Sequence, residues 1–156
     1  MAASASVLHD ALIVGAGPAG LSSALTLSRA LQTAVVFDSG IYRNQRATHM
    51  HTLPTWDHQN PADFRAAARS ELLGRYQTVT FHNSAVTRIG ISKHTVGNGD
   101  GNSIFEVASA DGSQWLGRTV ILATGVRDVL PDIQGYDDCW VHGMYANLYI
   151  FTSLHF

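Results

Sequence analysis

The sequence predicts an α/β domain built on a parallel β-sheet, and two patterns carry this prediction. An apolar segment, residues 9–14, leads directly into Gly15-x-Gly17-x-x-Gly20, and a helical pattern follows at once. A second apolar segment, residues 33–37, ends in Asp38. Strand, glycine-rich turn, helix and a second strand ending in an acid together form a dinucleotide-binding βαβ unit. The ligand class that this pattern indicates is a nucleotide with a pyrophosphate.

Glycine is required at each of the three positions of the motif for a different physical reason. Gly15 allows the sharp turn out of the strand, Gly17 lets the backbone approach a pyrophosphate, and Gly20 lets the helix pack close to the strand. We expect the helix to begin at Pro18, which has no N–H to lose there, with Ala19 in the same turn. Its free N–H groups and positive dipole end then face the phosphates.

Asp38 adds information about the nucleotide. At the end of the second strand, an acidic side chain accepts hydrogen bonds from a ribose diol. The same carboxylate would repel a 2′-phosphate. The first nucleotide is therefore expected to be FAD or NAD rather than NADP.

The later elements follow in order along the chain. The patterns predict helices over 18–31 and 61–76, the second capped by Asn60 with Pro61 in its first position. Between the first βαβ unit and this helix lies a polar segment, 39–60, without a period, and we expect a functional loop there. Further strands are predicted at 79–82, 85–91, 103–110, 114–116 and 119–123.

These elements define the predicted fold class and domain organisation. The fold is α/β: a Rossmann-like parallel sheet with helices and a three-stranded antiparallel β insertion around a Gly/Asn turn at 97–102. Residues 1–156 form a single partial FAD/NAD(P)-binding domain. We expect a flexible leader over 1–8 and an irregular C-terminal tail over 126–156.

Composition excludes several function classes. The net charge is −2 and no basic run is present, which argues against nucleic acid as a partner. No apolar stretch is long enough for a membrane span, and the N-terminus lacks the features of a signal peptide. Cys139 is the single cysteine, which fits a reducing compartment, and we expect a structural role for it. The predicted location is the cytoplasm.

Several segments together resemble a known family. The glycine motif, Asp38, the antiparallel insertion and Val120-Ile-Leu-Ala-Thr124-Gly125 resemble the FAD half of thioredoxin reductase-like flavoproteins. Asp38-Ser-Gly-Ile-Tyr-Arg-Asn, His49-Met-His-Thr and Asp128-Val-Leu-Pro-Asp-Ile-x-Gly-Tyr look closest to the fungal branch, which includes gliotoxin-type dithiol oxidases of secondary metabolism. The resemblance spans residues 10 to about 149.

The resemblance implies FAD as the cofactor, with its pyrophosphate on the three glycines and its adenosine ribose on Asp38. Backbone near Val86 would flank the adenine. The other residues implied around the nucleotide are Pro18, Ala19, Ser39, Arg43, Asn44, His51, Ala123, Thr124 and Gly125. A hydrophobic secondary metabolite is the expected substrate.

Two features depart from the family pattern. Asn147 and Ile150 stand where family members carry Cys-x-x-Cys, so dithiol exchange of the family type is chemically unavailable here. The sequence also ends at Phe156, whereas family members continue into a nicotinamide-binding domain. We expect this to leave one side of strand 9–14 or of strand 119–123 unpaired. The apolar segment 145–156, or a second subunit in a homodimer or in a pairing with another chain, would cover that edge.

Three functions remain open on these grounds. The first is an FAD-binding thioredoxin reductase-like oxidoreductase domain that cannot perform dithiol chemistry alone. The second is a redox-neutral biosynthetic enzyme, of cyclase, isomerase or pericyclase type, whose former FAD cleft binds a small hydrophobic metabolite and no cofactor. The third is a non-catalytic subunit.

The loop over 39–60 contains the catalytic candidates, which are His49, His51, Asp57 and His58. Residues two apart in an extended stretch face the same side, so His49 and His51 could converge. A general acid or base, a metal site, or histidines bonded to backbone and cofactor phosphate would each fit these residue types. No helical or paired spacing sets a coordination geometry, so the sequence assigns no metal ligands.

Overall fold

The computed structural model describes residues 7–92 and 103–140 and confirms the α/β fold. One six-stranded sheet has the order β3-β2-β1-β6-β5-β4. Its strands are β1 Leu8–Val14, β2 Ala34–Phe37, β3 Val79–His82, β4 Val86–Ile91, β5 Phe105–Ser109 and β6 Gln114–Leu122. The helices are α1 Pro18–Arg29, α2 Pro61–Arg75 and α3 Tyr136–Cys139. Strands β3, β2, β1 and β6 run parallel, and β4, β5 and β6 form the antiparallel arm.

Segments 114–116 and 119–123, predicted as separate strands, form the single strand β6. Its first half pairs antiparallel with β5 as far as Gly117, and from Leu116 to Leu122 it pairs parallel with β1. A Cβ on Gly117 would lie 2.6 Å from Cγ of the buried Leu12, so the glycine makes room for that side chain. Both sides of β1 are thus paired. Within the described residues, β6 beyond Gly117 pairs with β1 alone.

Alternating side chains on β1 and β2 divide the core between the two faces of the sheet. On one face, Ala11, Ile13 and Val36 pack in a cluster with residues of α1 and α2. On the other face, Leu12 and Phe37 pack in a cluster with residues of the antiparallel arm. Because both faces of β1 and β2 are covered, most side chains of these two strands are apolar, without the polar alternation of a half-exposed strand. This packing holds the strand ends that carry the glycine turn and Asp38.

The helix boundaries follow local chemistry. The Asn60 side chain accepts a hydrogen bond from the Ala62 N–H at 2.8 Å, which confirms the predicted cap of α2. Helix α1 ends at Arg29 rather than at 31, because Leu31 has a φ of 59°, which a right-handed helix cannot continue. Neither these helices nor α3 is long and apolar enough to cross a bilayer.

The ends of the chain differ from expectation where the structure describes them. Strand β1 begins at Leu8, inside the predicted leader over 1–8. The predicted irregular tail over 126–156 contains the single turn α3. Cys139 is exposed, and the structural role expected for it stays a prediction. Residues 1–6, the predicted turn at 97–102 and the segment 141–156, with Asn147 and Ile150, lie outside the described residues.

Candidate functional site

The turn between β1 and α1 needs glycine at two positions for packing alone. Gly15 has a φ of 110°, and a Cβ there would lie 2.3 Å from the carbonyl oxygen of Ala123. A Cβ on Gly20 would lie 1.9 Å from the carbonyl oxygen of Gly15. These close backbone approaches hold the start of α1 against the ends of β1 and β6.

Gly17 has no such packing reason. It caps α1 with a φ of −75° and a ψ of −176°, which any residue can adopt. A Cβ at Gly17 would meet nothing within 4 Å, and no side-chain hydrogen bond caps this helix in the described part of the chain. Pro18 and Ala19 beside it are exposed. The helix N-terminus is therefore open to an anion, and this open space fits a pyrophosphate lying on the backbone.

Asp38 follows β2, and its carboxylate is already engaged. The side chain is 11% exposed. It accepts hydrogen bonds from the Gly40 N–H at 2.9 Å, from the Tyr42 hydroxyl at 2.7 Å and from Arg69 at 3.2 Å. A carboxylate offers about four acceptor positions. A ribose would have to share or displace these bonds, and the repulsion of a 2′-phosphate expected from Asp38 is offset by Arg69.

A cleft of about 200 Å³ opens between this carboxylate and the two helices. Ala16 and Leu21 line one side, and Arg65 and Arg69 of α2 line the other. The Arg65 guanidinium lies 3.9 Å from the centre of the Tyr42 ring. Sequence reasoning missed Tyr42, Arg65 and Arg69. The two arginines could have been found from the sequence. They are four residues apart on a predicted helix, and residues with that spacing share a face.

Tyr42 gives a pH-dependent prediction. Burial, followed by its hydrogen bond to Asp38, raises the pKa of Tyr42 to about 12. The pKa of Tyr42 in the folded protein lies above its unfolded value of about 10. The contribution of protonated Tyr42 to the free energy of unfolding is therefore complete below pH 10 and is lost as the pH rises through about 12. We expect the tyrosinate absorbance that distinguishes the parent from Tyr42→Phe to develop near pH 12. In urea the midpoint of this absorbance change should return to about pH 10. A midpoint near pH 10 in the folded protein would contradict the hydrogen bond between Tyr42 and Asp38.

Ion pairs and hydrogen bonds tie the loop over 39–60 to its neighbours. Arg43 donates two hydrogen bonds to Asp128, both at 3.0 Å, and these raise the pKa of Arg43 above its usual range. Asn44 accepts a hydrogen bond from Arg65 at 2.9 Å. Ser39 accepts one from the Ile41 N–H at 3.3 Å. Arg43 and Asn44, expected near the pyrophosphate or flavin, are held here by protein groups, and their cofactor role stays a prediction.

The histidine loop, residues 49–60, brings three of the four catalytic candidates together. The His51 Nδ1 lies 3.6 Å from Asp57 Oδ1, and the His58 Nε2 lies 3.7 Å from Asp57 Oδ2. The His49 ring is farther away, with its centre 6.4 Å from that of His58. All four side chains are exposed. Their catalytic role stays a prediction.

The remaining candidates lie at strand ends. The Ala123 N–H donates to the Val14 carbonyl at 2.9 Å, which places the end of β6 beside the glycine turn. Thr124 and Gly125 follow it and are exposed, with a φ of 65° at Gly125. Val86 begins β4 and packs against the cluster that contains Phe37. Contact of these residues with a nucleotide stays a prediction.

Comparisons with known proteins bear on this site. Residues 9–148 match the family model of the pyridine nucleotide-disulphide oxidoreductases. Thioredoxin reductase aclD of Aspergillus oryzae is 51% identical over 146 residues, which cover 93% of this chain and 44% of aclD. Thioredoxin reductase sirT of Leptosphaeria maculans is 48% identical over 134 residues, 85% of this chain and 38% of sirT.

A solved structure agrees with these sequence matches. The crystal structure of the oxidoreductase from Agrobacterium tumefaciens superposes with a TM-score of 0.75 at 33% identity, covering 87% of this chain and 43% of that one. The chain thus spans less than half the length of aclD, of sirT and of the Agrobacterium oxidoreductase. The resemblance drawn from the glycine motif, Asp38 and Thr124-Gly125 is confirmed.

Proposed function

The chain belongs to the pyridine nucleotide-disulphide oxidoreductase family, and we propose that its glycine turn binds the pyrophosphate of FAD within a thioredoxin reductase-like oxidoreductase. The observation that supports this most directly is the open space at Gly17. No clash and no unusual backbone angle within the described residues requires glycine there. A ligand that lies against the backbone supplies the missing reason.

The turn would hold the pyrophosphate by its backbone. Gly15 and Gly20 keep the start of α1 close to β6, and the N–H groups of the first helical turn then donate to the phosphate oxygens. Bound FAD would supply the redox chemistry of the family. The role proposed for this chain's own residues is to bind and orient the nucleotide.

Asp38 would contribute at the ribose. Its carboxylate keeps its position through Tyr42 and Arg69, so a ribose hydroxyl would join a hydrogen-bond network that is already arranged. These 156 residues contain one cysteine, so they cannot form a redox disulphide among themselves. We therefore assign them nucleotide binding rather than dithiol exchange. A hydrophobic substrate, a dimer and a cytoplasmic location stay predictions.

A glycine-to-alanine pair tests the proposal. We expect Gly17→Ala to bind ADP and FAD at least about tenfold more weakly than the parent, because the new methyl group occupies the place of the phosphate. Titration calorimetry with each nucleotide measures the change. Gly74→Ala on α2, where a Cβ also meets nothing within 4 Å, is the matched control and should bind like the parent.

Two outcomes would contradict the proposal. One is equal affinity of Gly17→Ala and the parent for both nucleotides. The other is a folded parent protein that binds neither ADP nor FAD. Circular dichroism of the parent and of both variants shows whether the fold is retained.

A further inference from the structure

The geometry points to a binding site for a divalent transition-metal ion of the zinc type on the histidine loop, formed by His51, Asp57 and His58. One ligand atom from each of these residues lies within 4.8 Å of the other two. Neither the glycine turn nor Asp38 takes part. The inference therefore does not depend on the proposed binding of FAD.

The distances are close to those of a coordinated ion. Zinc bonds of about 2.0–2.1 Å in a tetrahedron separate neighbouring ligand atoms by about 3.4 Å. Asp57 already lies 3.6 Å from the His51 Nδ1 and 3.7 Å from the His58 Nε2, each through a different carboxylate oxygen. Binding would draw all three groups slightly inward. Because these side chains are exposed, rotation about their χ angles can supply that movement.

The loop backbone holds these groups together without an ion. The Met50 N–H donates to the Gln59 carbonyl and the His58 N–H donates to the Met50 carbonyl, both at 2.8 Å. Both bonds join the two arms at the base of the loop, and His51 and Asp57 lie between these arms in the sequence. The Trp56 ring packs edge-to-face on Phe64 of α2, with centres 5.5 Å apart. The site is thus partly organised before binding, which lowers the entropy lost when an ion binds.

Asp57 is also oriented by a backbone donor. The Thr52 N–H donates to Asp57 Oδ1 at 3.0 Å. Hydrogen bonds of this kind to a ligating carboxylate set its direction and strengthen metal binding. The second oxygen, Oδ2, faces His58 and remains available as a ligand.

The residue types select the class of ion. Two imidazole nitrogens with one carboxylate oxygen suit Zn²⁺, Co²⁺, Ni²⁺ or Cu²⁺, whereas Mg²⁺ and Ca²⁺ prefer shells made of oxygen. Three protein ligands leave a further coordination position. The His58 side chain is 73% exposed, so water can reach that position.

Zinc titration of the full chain tests the site. We expect one Zn²⁺ per chain by calorimetry, and His58→Asn and Asp57→Asn should each weaken binding at least about tenfold. Asp57→Asn retains an oxygen for the Thr52 N–H, so the loop should keep its shape. His9→Asn is the matched control. It removes an imidazole near the start of β1, at the opposite end of the strand from the glycine turn, and should bind zinc like the parent.

Cobalt absorption identifies the ligands. Co²⁺ in the parent should give visible bands of nitrogen and oxygen coordination that are weakened in His58→Asn and unchanged in Cys139→Ser. The inference is overturned if the parent binds no Zn²⁺, or if both loop variants bind it as tightly as the parent. A thiolate-to-cobalt band that disappears in Cys139→Ser would also overturn it, since the ion would then sit on Cys139.

Discussion

Gly20→Ala should lower the free energy of unfolding by about 3 kcal/mol or more, the largest stability effect that we expect at a single position. The new Cβ would lie 1.9 Å from the oxygen and 3.0 Å from the carbon of the Gly15 carbonyl. Both atoms are backbone, so no side chain can rotate away and α1 itself must move. Urea unfolding measures the free energy. In a thermal melt, the midpoint should fall by roughly 6 °C or more for a domain of this size.

The control lies three residues earlier in the same turn. Gly17→Ala adds the same methyl group where nothing lies within 4 Å, and it should change the unfolding free energy by less than about 0.5 kcal/mol. Equal losses in the two variants would show that α1 does not approach β1 closely enough to require glycine at position 20. Combined with nucleotide titration, the pair separates a glycine that packing requires from one that ligand binding requires.

Arg69→Met should have the second largest effect, a loss of about 2–3 kcal/mol. The substitution leaves the Asp38 carboxylate, 11% exposed, without its positive partner. Breaking a fully buried pair costs about 3–5 kcal/mol, and the 31% exposure of Arg69 reduces that figure. The methionine retains part of the packing that the Arg69 guanidinium makes 4.3 Å from the centre of the Phe81 ring.

A double-mutant cycle isolates the charge interaction. Asp38→Asn combined with Arg69→Met should be more stable than the sum of the single losses predicts, with a coupling of about 1 kcal/mol or more. Arg46→Met is the matched control, because the ion pair of Arg46 with Asp137 is exposed and should contribute about 0–1 kcal/mol. If Arg69→Met costs no more than Arg46→Met, Asp38 does not depend on Arg69.

The βαβ unit could be predicted because its local signals agree with its tertiary contacts. Gly15 and Gly20 are required by close backbone approaches, and such approaches leave a glycine pattern that can be read without coordinates. The cap at Asn60 is equally local, since it involves the N–H only two residues later. The strand β6 was predicted as two pieces because Gly117 interrupts its apolar pattern. Only the packing of Leu12 shows why a glycine stands inside a strand.

The partners of Asp38 could not be predicted with the same certainty. Its position at the end of β2 follows from the strand pattern, but Tyr42 and Arg69 come from a loop and from a helix 31 residues away. The histidine loop is a similar case. Its residue types were visible, whereas their distances depend on the backbone pairing of Met50 with His58 and Gln59.

The fold class and the glycine turn follow from the amino-acid sequence alone, because strand periodicity, glycine sterics and helix capping act between near neighbours in the chain. Three features required the folded structure: the open space beside Gly17, the hydrogen-bond partners of Asp38, and the short distances between His51, Asp57 and His58. These features depend on distances across loops and between layers, and such distances follow from packing and hydrogen bonding of the whole fold.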